Sequence, residues 1–285
     1  MMGFRECTMR VISWNTNARS RSVDGQAEFL RKRRPDIIAL QEVTLKSAPL
    51  FRAELREFGF GYAYDSFRPF RNSSELKGPR RYGVMIASKY PARVIRRKIF
   101  SVPWKEKILS VTVDAPGFSF EFHTTYVPPG SSNGWIKVET LEGIYAGLSG
   151  RAGRPRISCG DFNIPQMEFS TGGIVTWAQR IRETGEVALR KRFRNGDGAR
   201  WDAAERNIMT RLAEYGLPDV YRSLRGWKAR GASWYPIRKK WTVVGRRFDH
   251  IFASTLLNAS GCRYLDSARR NGLSDHSPVE ADFSP

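Results

Sequence analysis

The feature that most constrains the fold is a strict alternation of apolar and polar residues on both sides of a turn. Apolar side chains occupy every second position in residues 109–113 and again in residues 118–122, and an Ala-Pro-Gly sequence at 115–117 lies between the two runs. Because successive side chains of a β-strand point to opposite faces, this pattern predicts a hairpin with one face buried.

Other short apolar runs predict further strands, because each is bounded by polar or turn residues. These runs are residues 10–14, 36–40, 82–87, 156–159, 248–253 and 279–283. Apolar residues at a spacing of about 3.6 predict a helix over residues 136–148, and a second helix is predicted to begin at Asp202 and stop at Gly216. Hairpins beside helical crossovers favour a mixed α/β architecture with largely antiparallel sheets.

The predicted elements continue along the whole chain, and no repeat or Pro/Ser-rich linker divides it. We therefore expect one domain over residues 9–285, with residues 1–8 as a leader or a start-site ambiguity. No signal-peptide pattern and no apolar run near the roughly 18 residues of a membrane span are present, which predicts a soluble, cytoplasmic protein. Cys7, Cys159 and Cys262 are far apart and follow no metal-binding spacing, so we expect buried apolar roles for them.

The charge balance predicts a polyanionic partner, since the 285 residues carry 48 Lys and Arg against 28 Asp and Glu, for a formal net charge of +20. DNA and RNA both fit this charge. Basic clusters occur at residues 31–34, 80–81, 96–98, 190–194, 238–240 and 246–247. The first is predicted to end a helix, whereas most others lie in predicted loops among aromatic residues, as in nucleic-acid-binding surfaces. Residues 172–200 are rich in Gly and Arg and are predicted to form a flexible loop over this surface.

Carboxylate and amide residues follow several predicted strands. Asn15 ends the first strand, Glu42 ends the second, and Asp161 and Asn163 follow a third. Their oxygens are hard ligands that suit Mg²⁺ or Mn²⁺, although Gly-Asp-Phe-Asn at 160–163 is also compatible with an ordinary turn. Such a cation would neutralise the anionic charge of a phosphodiester and thereby promote its hydrolysis.

The three histidines are assigned different roles. His276 follows Asp275 on a predicted loop beside a strand, which favours a catalytic position. His123 and His250 lie within predicted strands, and we expect them to be structural.

Six motifs then occur in a characteristic order: Ser-Trp-Asn-Thr-Asn (13–17), Leu-Gln-Glu (40–42), Thr-Tyr-Val-Pro (125–128), Gly-Asp-Phe-Asn (160–163), Phe-Asp-His (248–250) and Ser-Asp-His-Ser-Pro (274–278). In this order the chain resembles the endonuclease/exonuclease/phosphatase superfamily. It most resembles the exonuclease III type of apurinic/apyrimidinic endonuclease, to which Asn-Thr-Asn (15–17), Trp-Ile-Lys (135–137), Glu-Arg (205–206) and Ser-Trp-Tyr (233–235) are also similar.

This resemblance implies a four-layer αββα sandwich with a divalent-metal phosphodiesterase site at one end. Glu42 would be the principal metal ligand with Asn15 and Asp275 nearby, and Mg²⁺ would be the metal, with Mn²⁺ able to substitute. The catalytic set implied by the resemblance consists of Asp161, Asn163, His276, Tyr126 and Asp249. The nucleic-acid contacts that we predict are Asn17, Trp234, Arg80, Arg81, Lys137, Arg238 and Lys239.

The function implied by the resemblance is hydrolysis of the DNA backbone 5′ to abasic sites, by 3′–5′ exonuclease action, or both. Alternatives on the same fold are a less specific DNA or RNA endonuclease and a phosphodiesterase acting on 5′-tyrosyl–DNA or a phospholipid head group; a nucleic-acid-binding protein without catalysis is a further alternative. The residues after Asn17 and Glu42 depart from the family pattern, which bears on abasic-site preference and leaves the metal site intact. We expect no membrane contact and see no sign of an obligate protein partner.

Overall fold

The computed structural model describes residues 8–236 and 244–284. Their strands are β1 (Met9–Asn15), β2 (Ile37–Val43), β3 (Tyr62–Asp65), β4 (Gly83–Ser88), β5 (Ala92–Val94), β6 (Ile108–Ala115), β7 (Phe118–Tyr126), β8 (Arg156–Asp161), β9 (Met167–Glu168), β10 (Ile174–Val175), β11 (Gln179–Ile181), β12 (Val187–Leu189), β13 (Arg192–Phe193), β14 (Gly196–Asp197), β15 (Asp249–Ala253), β16 (Asn258–Tyr264) and β17 (Val279–Ser284).

Their α-helices are α1 (Val23–Arg33), α2 (Ser47–Glu57), α3 (Gly130–Asn133), α4 (Ile136–Leu148), α5 (Gly198–Met209), α6 (Val220–Arg225) and α7 (Asp266–Arg270). Short 3-10 turns cover Ser20–Ser22, Ser73–Glu75, Lys105–Lys107 and Arg211–Tyr215.

Two sheets form the centre of the protein. The first has the strand order β16-β17-β1-β2-β4-β3, and the second has the order β15-β8-β7-β6-β5. Within them, β1 runs parallel to β2 and β7 runs parallel to β8, while the other neighbours are antiparallel. Helix α1 makes the crossover between the parallel strands of the first sheet, and α3 and α4 make it in the second. The expected mixed architecture is confirmed, and the β6–β7 hairpin lies where the alternation predicts it.

Apolar side chains fill three layers. One face of each sheet packs against the other sheet, through residues such as Val11, Ile86, Phe120 and Phe122. The outer face of the first sheet is covered mainly by α1 and α2, and that of the second by α4 and α5. The described residues therefore form the four layers of an αββα sandwich, as predicted. Strands β1, β2 and β4 of the first sheet are buried on both faces, which explains their continuous apolar runs, whereas β6 alternates between buried and half-buried residues.

Two expectations from the sequence were wrong in detail. Residues 172–200 are not a loop without regular structure, because β11 pairs with β12 and β13 pairs with β14 in two antiparallel hairpins. Helix α5 begins at Gly198 rather than at Asp202, since the side chain of Asp197 caps it by accepting a hydrogen bond from the backbone of Ala199. The carboxylate of Asp202 instead binds Thr176 and Arg206.

Other expectations agree with the structure. Basic residues end α1, and Arg34 caps it in a left-handed conformation. Cys159 and Cys262 are buried free thiols, while Cys7 lies outside the described residues. Within residues 8–236 and 244–284, the helices are all too short or too polar to cross a lipid bilayer.

Gly160 provides a test of how closely the parallel strands of the second sheet approach each other. It has a φ of 145°, and a Cβ atom at this position would lie 2.0 Å from the backbone oxygen of Thr125. We expect Gly160→Ala to lower the free energy of unfolding by about 3 kcal/mol, because neither backbone segment can move away without breaking the β7–β8 ladder.

Urea denaturation would measure this change. Gly153→Ala is the matched control, because a Cβ atom there meets nothing within 4 Å, and its effect should stay within about 0.5 kcal/mol. Equal stability of the two variants would contradict this account of the strand contact.

Candidate active site

The phase of the strands determines which side chains meet at one end of the sandwich. Four strands each carry a polar side chain two or four positions from a core residue that packs between the sheets. The pairs are Asn15 with Val11, Tyr126 with Phe122, Asp161 with Cys159 and Asp249 with Ile251. Since side chains two residues apart share a face, all four point between the sheets. Because β1 and β2, and likewise β7 and β8, are parallel, their carboxyl ends lie at the same edge.

Glu42 is out of phase with this pattern. In β2, Ile37 and Ala39 face the other sheet, so a regular strand would point Glu42 towards the helices. The register against β4 shifts at this residue, which has a left-handed φ of 54°. This β-bulge turns the carboxylate towards the edge of the sandwich, where it accepts a hydrogen bond of 3.2 Å from Asn15.

Asn15 joins the two sheets. Its Nδ2 donates to Asp161 Oδ2 at 2.9 Å as well as to Glu42, while its Oδ1 accepts from the backbone of Asn17 at 2.9 Å. The hydroxyl of Ser274 donates to its backbone oxygen at 2.7 Å. The amide therefore has a fixed orientation, and it holds carboxylates from the first and second sheets at a constant separation.

His276 and Asp249 form a buried pair. Nδ1 of His276 lies 2.7 Å from Oδ2 of Asp249, and the backbone oxygen of His276 accepts from the indole of Trp14 at 3.0 Å. The backbone of Asp249 is held by Tyr264 and by the hydroxyl of Ser233. Because Nδ1 is engaged, Nε2 is the imidazole nitrogen left for a ligand.

Burial and like charge dominate the electrostatics of the site. Burial, the Asp249 carboxylate and the Glu42 carboxylate raise the pKa of Asp161 to about 8, and burial also raises the pKa of Glu42. Burial alone would lower the pKa of His276, but Asp249 and Asp161 outweigh it and raise that pKa to about 10. The buried carboxylates thus carry more negative charge than the neighbouring positive groups neutralise.

This imbalance fits a divalent cation. Among the described residues, carboxylate oxygens of Asp161 and Asp249 lie within 4.8 Å of each other and of the His276 imidazole, which carries the neighbouring positive charge. Oδ1 of Asp249 is buried without a hydrogen-bond partner, and exposed Asp275 contributes its charge to the surroundings of Glu42. Hard oxygen donors that lack counter-charge are the donor set of an Mg²⁺ or Mn²⁺ site, so the residues present fit the predicted class of metal.

Asn163 adopts an unusual backbone conformation beside Asp161. Its φ is 55°, its backbone N–H donates to Asp161 Oδ1 at 2.9 Å, and its Nδ2 donates to the backbone oxygen of Val127 at 2.9 Å. The sequence places Asn163 next to Asp161, but its left-handed backbone follows from these contacts.

Lys137 differs from its predicted role. It is 1% exposed, forms an ion pair with Glu205 and donates to the backbone oxygen of Asn163. A buried ammonium engaged in this way is not a surface contact for a phosphate, so we correct the prediction that Lys137 contacts nucleic acid.

Tyr126 has a neighbour that sequence reasoning missed. The buried ammonium of Lys107 lies 5.4 Å from the centroid of the Tyr126 ring, and burial lowers its pKa to about 8. Burial and the Glu42 carboxylate raise the pKa of Tyr126 well above its ordinary value, so its hydroxyl remains a donor. Lys107 follows two charged residues in the sequence, and nothing in that pattern distinguishes it from a surface lysine.

The other predicted nucleic-acid contacts are placed as follows. Asn17 is half-buried with a left-handed φ of 53°, and Arg80 and Arg81 are exposed. Trp234 is half-buried, stacks on Phe248 at 5.3 Å, and pairs through its backbone with His276 and Arg246. Arg238 and Lys239 lie outside the described residues.

An aromatic pocket of about 210 Å³ opens next to this end of the sandwich. Asn163 and His276 form part of its wall together with aromatic and basic side chains. Those side chains are Lys137, Trp177, Phe193, Arg194, Trp201, Trp234, Arg246 and Phe248. Trp177 had no assigned role in the sequence, and Arg194 and Arg246 were predicted only as members of basic clusters, because the proximity of the three residues depends on three separate loops.

The remaining histidines are structural, as predicted. His250 is buried and its ring nitrogens lie 2.8 Å from Asp219 Oδ2 and 2.8 Å from the backbone oxygen of Ile164. His123 is buried at hydrogen-bond distance from the hydroxyl of Ser110, one strand away.

Comparison with known proteins identifies the class to which this fold and site belong. Residues 12–276 match the model of the Endonuclease/Exonuclease/phosphatase family, so the chain belongs to that family. It is 27% identical over 290 residues to exodeoxyribonuclease III of Haemophilus influenzae, with 96% of this chain and all of that protein covered.

Two solved structures share the fold. An AP endonuclease from Archaeoglobus fulgidus has a TM-score of 0.68 at 20% identity, with 96% of this chain and 99% of that one covered. TDP2 from D. rerio, complexed with single strand DNA product, has a TM-score of 0.64 at 14% identity, with 98% of this chain and all of that one covered.

The His276–Asp249 pair predicts a measurable titration in metal-free protein. We expect the pKa of His276 to be near 10 and to fall towards the ordinary value of about 6.5 in Asp249→Asn, because the neighbouring negative charge is lost. NMR titration of the imidazole signals in EDTA would measure both values. Since the folded pKa exceeds the unfolded one, the stabilisation by the imidazolium is fully present below pH 6.5 and is lost as pH rises through 10.

His123 is the internal control. Burial lowers its pKa, and its neighbours are Ser110 and Glu121, so Asp249→Asn should leave its titration unchanged. An unaltered pKa of His276 in this variant would contradict the assigned pair.

Proposed function

We propose that the protein is a divalent-metal-dependent nuclease that hydrolyses phosphodiester bonds of the DNA backbone. The observation that carries this proposal is the convergence of Asn15, Glu42, Asp161 and the Asp249–His276 pair on one edge of the sandwich. The relatives' names, exodeoxyribonuclease III and AP endonuclease, and the net charge of +20 support DNA as the substrate. RNA fits the same charge and is the alternative polymer.

In this proposal Glu42 holds the metal with Asn15 and Asp275 nearby, and the metal is Mg²⁺, with Mn²⁺ able to substitute. When bound, it supplies positive charge that offsets the negative charge developing on the phosphate oxygens. The buried Asp161, held by the side chain of Asn15 and the backbone N–H of Asn163, orients the attacking water and accepts its proton.

Three donors complete the proposed site. His276 Nε2 donates to a phosphate oxygen, and Asp249 keeps the imidazole charged and fixes its orientation. The Nδ2 amide of Asn163 is held near the attacking water, and the hydroxyl of Tyr126 assists the leaving oxygen or contacts the phosphate. Donors that are fixed before the reaction need no reorganisation at the transition state, which is the main source of their effect.

The aromatic pocket favours cleavage next to an abasic site. It adjoins His276 and is enclosed by Trp177, Trp234 and Phe248, with the Arg246 guanidinium 4.8 Å from the Trp177 ring centroid. A volume of about 210 Å³ accepts a deoxyribose without its base. Hydrolysis of a 5′-tyrosyl–DNA adduct is a second candidate, because an aromatic pocket also accepts a tyrosyl ring. We further propose that residues 9–285 act as one domain, since β1 and the loop before β17 both contribute to the site.

A cleavage assay tests this function. Labelled duplexes with an abasic-site analogue, an undamaged sequence or a 5′-tyrosyl end would be incubated with Mg²⁺ or with EDTA. We expect cleavage of the abasic duplex with Mg²⁺ and none in EDTA. Glu42→Gln and His276→Asn should each lower kcat by about 10²- to 10⁴-fold, because one loses metal charge and the other a charged donor.

Each result decides between candidates. Cleavage that persists in EDTA would refute the metal mechanism. Equal cleavage of abasic and undamaged duplexes would remove the repair assignment and leave a general nuclease, while a preference for the 5′-tyrosyl end would select the second candidate. His123→Asn is the matched control for His276→Asn, because His123 lies outside the site.

The β13–β14 hairpin and the residues before it form a basic surface beside the pocket. Arg190, Lys191, Arg192 and Arg194 are exposed, and Arg194 forms part of the pocket wall. We expect replacement of Arg190, Lys191 and Arg192 by Gln to reduce the slope of log affinity against log salt by about 2 to 3, since each phosphate contact contributes about 0.9.

Fluorescence anisotropy with labelled duplex at several salt concentrations would measure the slope. Replacement of Arg31, Lys32 and Arg34 by Gln is the control. These cations lie at the end of α1. Since α1 runs from the active-site end of β1 to the start of β2 at the opposite edge of the sheet, the three cations lie away from the active site. Equal slopes for the two triple variants would exclude the hairpin from the DNA-binding surface.

A further inference from the structure

A buried ion pair lies directly behind the proposed active site. Nζ of Lys137 in α4 lies 3.2 Å from Oε1 of Glu205 in α5, and the two side chains are 1% and 0% exposed. Burial lowers the pKa of Lys137 and raises that of Glu205, while each group opposes the shift of the other. The pair is therefore held within the layer of helices on the second sheet.

Both members of the pair make further hydrogen bonds. Oε1 of Glu205 accepts from the indole of Trp201 at 2.7 Å, and Oε2 accepts from the backbone of Trp177 at 3.0 Å. Nζ of Lys137 donates to the backbone oxygen of Asn163 at 2.9 Å, and the Trp177 indole donates to the same oxygen at 3.1 Å. The network therefore ends at the carbonyl group of Asn163.

Stability alone does not account for this arrangement. Desolvation of two charges costs about as much as their attraction returns, and apolar side chains of similar volume often replace a buried pair without loss of stability. The rings of Trp177 and Trp201 already surround the Lys137 ammonium at 5.6 and 5.9 Å, so an apolar replacement would have apolar neighbours.

The carbonyl that receives both donors belongs to a residue with a left-handed backbone. Asn163 has a φ of 55°, in a region that asparagine adopts more readily than most residues other than glycine. In this conformation its side chain reaches the backbone oxygen of Val127 at 2.9 Å and Asp161 Oδ2 at 3.3 Å. A rotated peptide would move the amide away from both.

We propose that the Lys137–Glu205 pair is a positioning device that fixes the peptide of Asn163 and so holds its side-chain amide next to Asp161. Glu205 does not line the aromatic pocket, and Lys137 forms part of its wall with its ammonium engaged by Glu205 and the backbone oxygen of Asn163. The inference rests on the proposed function, in which Asn163 acts near the attacking water. Loss of the pair therefore lowers the rate of the bound complex more than it weakens binding.

The test replaces the pair with apolar residues of similar size, in the double variant Lys137→Met/Glu205→Leu. Arg33→Met/Glu280→Leu is the control, because it removes another buried carboxylate with one of its arginine partners, and the remaining partners of Glu280, Arg10 and Arg263, reach solvent. Urea denaturation, kcat and KM on the preferred duplex, and the NMR signals of the Asn163 side-chain amide would be measured. Asn163→Ala assigns those signals.

We expect the Lys137→Met/Glu205→Leu variant to unfold cooperatively, to lose about 10²-fold in kcat and to change KM by less than about threefold. Its Asn163 amide signals should shift, whereas the control should keep both the signals and kcat. A folded variant with unchanged kcat or unchanged Asn163 signals would overturn the inference.

Glu205→Gln provides a second variant if the double replacement does not fold. It keeps the shape and one acceptor oxygen but removes the charge that holds Lys137, so kcat should fall and the Asn163 signals should shift, and unchanged values would again overturn the inference. If the wild-type protein cleaved no duplex, the proposed function would fail, and the NMR signals alone would still decide whether the pair positions Asn163.

Discussion

The burial of several carboxylates at one edge of the sandwich is the constraint on which the rest of the structure depends. Asp161 and Asp249 lie between the sheets near Glu42, where water cannot solvate them fully, and each raises the cost of charging the others. Asn15 and His276 offset part of this cost, and a divalent cation would offset more. The arrangement is unfavourable for the empty protein and suited to a cation and an anionic phosphate together.

The sheets create this edge through strand phase. Every second side chain of β1, β7, β8 and β15 points between the sheets. The apolar core residues and the polar active-site residues at the strand ends therefore lie on the same face of each sheet. Glu42 is the exception, and the bulge at this residue brings it into line at a cost in backbone strain. Asn163 is also left-handed, a conformation that asparagine tolerates, and its carbonyl is held by Lys137 and Trp177 from the helix side. The left-handed backbone at these two positions coincides with the proposed metal ligand and the proposed donor to the water.

The large positive charge has two different uses within the described residues. Part of it is internal, since Lys137, Arg222 and Arg247 are paired with buried carboxylates and are not available to a polyanion. Another part is exposed near the aromatic pocket, where Arg190 and Arg194 lie against the ring of Phe193. Net charge therefore indicates the class of partner, whereas the distribution of ion pairs determines which cations can meet it.

The sequence by itself determined the α4 helix, the mixed architecture, the polar residues that follow the strands, and eight strands, which are β1, β2, β4, β6, β7, β8, β15 and β17, because each depends on local periodicity or on a short motif. It did not predict β3, β5, β16 or the short strands from β9 to β14. It could not place α5, whose cap at Asp197 competes with a second plausible cap at Asp202. It also predicted that Lys137 contacts nucleic acid, since the Trp-Ile-Lys motif at 135–137 is the same whether the lysine faces a phosphate or a buried glutamate. Only the tertiary structure decided these points. It also decided the direction of the Glu42 carboxylate and the formation of the aromatic pocket. The physical reason is that burial, ion pairing and strain arise between residues far apart in the chain, and local sequence does not record those distances.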